Sequence, residues 1–175
     1  NTVIKISNLV KALLAISFTL ILIAPSVAQS GPEIGRVLLA LGDTKLIRKG
    51  QASPVTKGTT LQSGDTITTG VNSNLQMRMT DGAVIALRAG SEFKIDEYQF
   101  NGKADGTEKA SLNLVQGGVR AVTGVIGREN KDNLKVNTVA ATIGVRGTGF
   151  NIVGCSSSCL NADTSLAKNG LYAGV

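Results

Sequence analysis

From residue 29 onward the chain predicts an all-β domain, and three observations carry that expectation. Short apolar stretches, many alternating with polar residues, are broken about every ten residues by Gly, Asp or Asn. No segment after the first 28 residues combines a helical period with caps. The 175 residues include 21 glycines and only six Phe and Tyr (four and two), a composition that disfavours a helical domain. Two architectures fit these short strands: a twisted, solenoid-like stack of layers or a sandwich. Corners containing Gly-Asp or Asp-Gly favour the stack, although no exact repeat is visible.

Taken in order, residues 35–41 are strand-like and end at Gly42-Asp43, and residues 44–48 form a second strand closed by Lys49-Gly50. The run from Pro54 to Leu61 leads to Gly64-Asp65, after which Thr66-Ile67-Thr68-Thr69 is β-branched. Leu75, Met77 and Met79 alternate with polar neighbours, Asp81-Gly82 signals a hairpin, and residues 83–88 return. Residues 91–100 form a strand with Phe93, Ile95 and Glu97 on one face, followed by the polar loop 101–107. Residues 110–115 alternate, Gln116-Gly117-Gly118 reads as a turn, and residues 119–126 continue as another strand. After the charged loop 127–133, residues 134–138 pair with what precedes them and feed the apolar run Thr138 to Phe150. Gly170 to Val175 reads as the middle of a further strand, so the sequence is expected to break off in a last hairpin.

Residues 1–28 have the order of a secretory signal: sparse positive charge (Lys5, Lys11), an apolar stretch from Ala12 to Ala24, then Pro25-Ser26-Val27-Ala28. A bilayer span needs roughly 20 apolar residues, so the expectation is export and cleavage after Ala28, with membrane contact only through this segment if it is uncleaved. Removing it takes two of 18 basic residues and none of 12 acidic ones, leaving 16 against 12. The remaining bases are scattered singly, with only Arg48-Lys49 adjacent, and there is no aromatic stacking platform, which excludes ordinary nucleic-acid binding. In an oxidising compartment Cys155 and Cys159 are expected to pair as a local disulfide. Two thiols in a chain with no histidine are too few ligands for a zinc site.

Arg146 is a lone cation in the run T-V-A-A-T-I-G-V-R-G-T-G-F, where both strand faces look suited to close packing and Gly147 and Gly149 permit positive φ. Two readings are open: a buried clamp closing carbonyls or a carboxylate, which is the weightier, or a recognition residue for an anion or partner. Asp65 and Asp81 each stand beside a turn glycine, Gly64 and Gly82, where Asp caps backbone amides. Ser91-Glu92-Phe93-Lys94 matches S-x-x-K, but in a strand pattern and without S-D-N or K-T-G partners. Gly147-Thr148-Gly149 has neither the third glycine nor the following helix of a phosphate loop. No catalytic residue, metal or cofactor is therefore assigned. Thr66, Thr68, Thr69, Arg78 and Arg88 form a polar face by alternation, read either as a binding face or as solvated sheet surface.

The ordered set G-T-T-L-Q-S-G-D-T-I-T-T-G (58–70), D-G-A-V-I-A-L (81–87), S-E-F (91–93), L-N-L-V-Q-G-G-V-R (112–120) and A-T-I-G-V-R-G-T-G-F (141–150) resembles the FecR domain over residues 35–153. In that resemblance residues 1–28 are a signal peptide, 29–34 a linker, and 154–175 the cysteine turn and the start of a final hairpin. Gly64, Asp65, Asp81, Gly82, Arg146, Gly147 and Thr148 are motif or structural positions. The resemblance implies a non-catalytic periplasmic all-β module for protein-protein contact or signal sensing, with an unidentified envelope protein as partner. With only a signal peptide and short lead ahead of the module, the chain is similar to stand-alone exported members. The alternatives are an envelope structural or polysaccharide-binding protein, and the periplasmic part of a sigma-factor regulator for iron transport.

Overall fold

A computed structural model describes residues 31–155 and 170–174. The expected signal peptide, the first two residues of the linker, and Cys159 with its bridge to Cys155 lie outside them. The strands are β1 (Gly35–Leu41), β2 (Thr44–Arg48), β3 (Gln51–Pro54), β4 (Thr60–Leu61), β5 (Thr66–Thr69), β6 (Asn74–Met79), β7 (Val84–Leu87), β8 (Glu92–Gln99), β9 (Lys109–Val122), β10 (Leu134–Thr138), β11 (Thr142–Gly144), β12 (Gly149–Cys155) and β13 (Gly170–Gly174). A five-residue helix α1 (Val125–Glu129) and a 3-10 turn (Lys131–Asn133) are the helical elements among the described residues.

These strands make one curled sheet with two wings that share β9. The first wing runs β4-β1-β6-β7-β9-β12-β13 and uses residues 117–122 of β9. The second runs β3-β2-β5-β8-β9-β10-β11 and uses residues 109–116. All pairings are antiparallel except β9 with β10. The all-β expectation holds, and the arrangement is a curled antiparallel sheet without the parallel coils of a solenoid.

Alternation determines which side chains enter the shared core. Leu75, Met77 and Met79 of β6 face Ile85 and Leu87 of β7 and Val119 and Ala121 of β9. From the other wing come Leu46, Ile67, Phe93, Ile95, Leu112, Leu114 and Val136, and all of these belong to one buried cluster. A fully buried Leu, Ile or Phe contributes about 1.5–3 kcal/mol, so this two-sided cluster holds the wings together.

Three local expectations are corrected. Residues 116–118 are not a turn between two strands: β9 runs through them and bends. Gly117 has φ +84°, and a Cβ there would lie 2.5 Å from Ser91 Cα and 2.7 Å from the Gly90 carbonyl. The Ser91 hydroxyl accepts the Gly118 N–H (2.9 Å), and Thr69 Oγ1 accepts the Ser91 N–H (2.9 Å) while donating to the Arg88 carbonyl (2.6 Å). Second, β8 has a register shift between Ile95 and Glu97, so Tyr98 rather than Glu97 follows Phe93 and Ile95 into the core. Third, the run from Thr138 is not a strand packed on both faces. Thr138 caps a turn to Ala141, Val139 is 84% exposed, and only Val145 and Phe150 of the run are buried.

Candidate interaction surface

The sequence-selected positions fall into separate places. Asp65 shares the core-facing parity of Ile67 and Thr69 and is completely buried. Arg48 shares the parity of Thr44 and Leu46 and meets it with a two-pronged grip: Nε to Oδ1 and Nη2 to Oδ2, both 2.7 Å. Arg48 Nη2 also donates to the Thr60 carbonyl (2.9 Å), while Asp65 Oδ2 accepts the Gln62 N–H (2.7 Å). The Asp65 hydrogen bond raises the Arg48 pKa above its ordinary value, against a smaller opposing effect of burial. An arginine clamp of the kind expected at Arg146 is thus found at Arg48, half-buried over a fully buried carboxylate. The signal was present in the sequence, since Arg48 extends the alternation Thr44, Leu46 onto the core side.

Arg146 is exposed, with 83% of its side chain accessible, and lies 4.0 Å from an equally exposed Asp132. Such a pair is worth little. Neither Gly147 nor Gly149 has positive φ; Gly149 instead allows close approach, because a Cβ there would sit 2.9 Å from the Ala121 carbonyl. The Thr148 carbonyl accepts the Thr123 N–H (3.0 Å) and the Gly147 carbonyl accepts the Thr123 hydroxyl (3.3 Å), so this segment is held by its backbone. Arg146→Ala is accordingly expected to change stability by less than about 0.5 kcal/mol in urea unfolding; a loss of several kcal/mol would restore the clamp reading.

Gly64 (φ +89°) and Gly82 (φ +88°) occupy turns that favour glycine. Asp81 does more than cap the Ala83 N–H (2.9 Å), for it also accepts the Tyr98 hydroxyl (2.6 Å) and the Ile126 N–H (3.2 Å), tying the β6–β7 turn to β8 and α1. Burial first, then the Asp81 charge and hydrogen bond, raises the Tyr98 pKa far above the ordinary tyrosine value. The folded protein therefore keeps a proton that the unfolded chain releases above about pH 10. Tyr98 stabilises fully below that pH and progressively less above it. In an absorbance titration at alkaline pH, Tyr98→Phe is expected to remove the tyrosine that ionises only as the protein unfolds; an unchanged titration would contradict this.

The polar face composed of Thr66, Thr68, Thr69, Arg78 and Arg88 does not exist as one surface. Thr66 and Thr68 are half-buried on the second wing, and Thr69 is buried at the corner between the wings. Arg78 and Arg88 lie on the outside of the first wing, where the fold adds Arg36 and Arg120. Register rows show the layout: Arg36 stands opposite Arg78, Arg78 opposite Val84, Val84 opposite Val122, and Arg120 lies between Ala86 and Asn151. None of this wing's strands contains Asp or Glu, counting only residues 117–122 of β9. Arg36 is paired with Glu33 just before β1 (2.9 Å), whereas Arg78, Arg88 and Arg120 form no ion pair among the described residues.

The outside of the second wing is built differently. Lys45 pairs with Asp43 (3.4 Å), Lys94 with Asp96 (2.7 Å) and Lys109 with Glu97 (2.8 Å). The acidic loop before β9 is satisfied internally: Glu108 accepts the Asp105 and Gly106 N–H groups and the Asn130 side chain, and Asp105 accepts from Thr107 and Asn101. Among the described residues no three His, Cys, Asp or Glu gather as metal ligands. Three lysines of the second wing are thus paired, whereas on the first wing Arg78, Arg88 and Arg120 have no ion pair among the described residues.

The described residues thus form an all-β module, a curled antiparallel sheet whose first wing carries a cationic outer face. The family model described as FecR protein matches residues 65–166, 102 of the 175 residues. The chain belongs to the FecR family. No curated protein and no solved structure matches it.

Proposed function

We propose that the chain is an exported, non-catalytic module that senses or transmits a signal by protein-protein contact in the periplasm, and that its contact surface is the outside of the β1-β6-β7-β9-β12 wing. One observation carries this reading: Arg78, Arg88 and Arg120 share this face with no ion pair among the described residues, and no acid lies in its strands. Like charges gathered on a sheet destabilise it, and Lys45, Lys94 and Lys109 of the second wing show that this fold can place acids beside its bases. An uncompensated face suits attraction of an oppositely charged partner. Membership of a family of envelope-facing regulators supports the compartment and the regulatory class. The amino-terminal signal pattern supports export.

The test uses the mature chain, immobilised and exposed to envelope extract. Wild type and the second-wing variant Lys45→Gln/Lys135→Gln should retain the same protein, and Arg78→Gln/Arg120→Gln should lose it. Raising salt from about 0.1 M to 1 M should also release it, as the screening length falls from about 10 Å to 3 Å. Recovery of envelope polysaccharide without protein would replace this reading with the glycan-binding one.

A further inference from the structure

Resting on that reading, we propose that Arg88, Arg120 and Asn151 form a subsite for a carboxylate of the partner, an Asp or Glu side chain on an acidic protein segment. The three residues come from neighbouring strands. Arg120 of β9 stands directly opposite Asn151 of β12. Arg88, one residue beyond β7, is anchored by its N–H to the Gly118 carbonyl (2.9 Å). Its side chain then lies across β9 over Gly118, where a Cβ would meet Arg88 Cδ at 2.9 Å and Cγ at 3.4 Å. This path carries Nη2 to within 3.4 Å of Asn151 Oδ1. Any side chain at 118 would obstruct that path, so the missing Cβ is part of the subsite.

The contact with Asn151 uses one Arg88 donor and the amide oxygen. The rest of the Arg88 fork, the Arg120 guanidinium and the Asn151 amide N–H groups remain to converge on an acceptor. Guanidinium forks match the planar, two-oxygen geometry of a carboxylate. The flanking outward positions, half-buried Val84 and Ala86 and exposed Val122, are short and apolar. They offer no ring on which a sugar could stack, and they alternate with the arginines at sheet spacing, complementing a segment in which acids alternate with aliphatic residues. Charge complementarity and this alternation identify the occupant as an acidic protein segment.

The probe is a dye-labelled peptide of alternating Glu and Val, titrated with the mature chain by fluorescence anisotropy at low salt. Saturable binding is expected, at least tenfold weaker for Arg120→Gln and at least threefold weaker for Gly118→Ala, which changes no charge. Circular dichroism should show both variants folded. Lys45→Gln on the other wing should bind as wild type. Equal affinity of Gly118→Ala and wild type would overturn the subsite, as would equal losses from Arg120→Gln and Lys45→Gln, which would reduce it to net charge. Tighter retention by phosphatidylglycerol vesicles or polygalacturonate than by the peptide would overturn the occupant. If the envelope protein is still captured by Gly118→Ala and Arg120→Gln, the interaction reading survives and the subsite falls. If the peptide binds as expected but no envelope protein is captured, the reverse holds.

Discussion

Replacing Arg48 by methionine is expected to lower stability by about 3 kcal/mol, read as a drop in the urea midpoint at unchanged slope. Methionine preserves much of the apolar stem and removes the fork. Asp65 is then left completely buried with only the Gln62 N–H as partner, and the Thr60 carbonyl loses its side-chain donor. Removing the partner of a buried carboxylate is costly because that charge remains desolvated. Arg48→Lys should lose a substantial part of the same energy, since an ammonium cannot grip both carboxylate oxygens and the carbonyl together. Adding Asp65→Asn to Arg48→Met should recover part of the loss, because no buried charge remains. A midpoint unmoved by Arg48→Met would show that the grip is not formed in solution.

Gly117→Ala is expected to lower stability by about 3–5 kcal/mol. The left-handed backbone costs a non-glycine residue about 1–2 kcal/mol. The larger part comes from the methyl group, which would overlap Ser91 Cα and the Gly90 carbonyl, backbone atoms that cannot swing aside as a side-chain end can. Relief requires opening the corner where Thr69 and Ser91 bind β9, and so loosens both wings. Gly118→Ala is the control: its new methyl group meets only the flexible Arg88 side chain, and it should lower stability much less. Similar midpoints for the two variants would show that β9 bends without need of its glycine.

Much of the fold is legible in the residues themselves. The bounds of β1, β2 and β5 follow from short apolar or β-branched runs closed by turns containing Gly, and β6 and β7 from Leu75, Met77 and Met79, then Ile85 and Leu87, around Asp81-Gly82. The candidate surface is less legible. Arg36, Arg78, Arg88 and Arg120 are 84 residues apart from first to last (120 − 36), and each alone looks like a solvated strand position. Only pairing brings them to one face, because alternation gives each side chain a side of its own strand and says nothing about which strands are neighbours. By the same limit, alternation alone puts Thr66 and Thr68 on one face with Arg78 and Arg88, although β5 and β6 lie in different wings.

What the sequence determined by itself was the all-β class, the place of Asp65 and Asp81 beside turn glycines, and the family to which residues 65–166 belong. Those properties are local, or are written in the order of short motifs. The tertiary structure decided that Arg146 is exposed and Arg48 is the clamp, that β9 passes unbroken through Gln116-Gly117-Gly118, and that Arg78, Arg88 and Arg120 share one outer face without acidic partners among the described residues. Each depends on contacts between residues distant in sequence, where burial and neighbouring charge assign a role that residue type and spacing leave open.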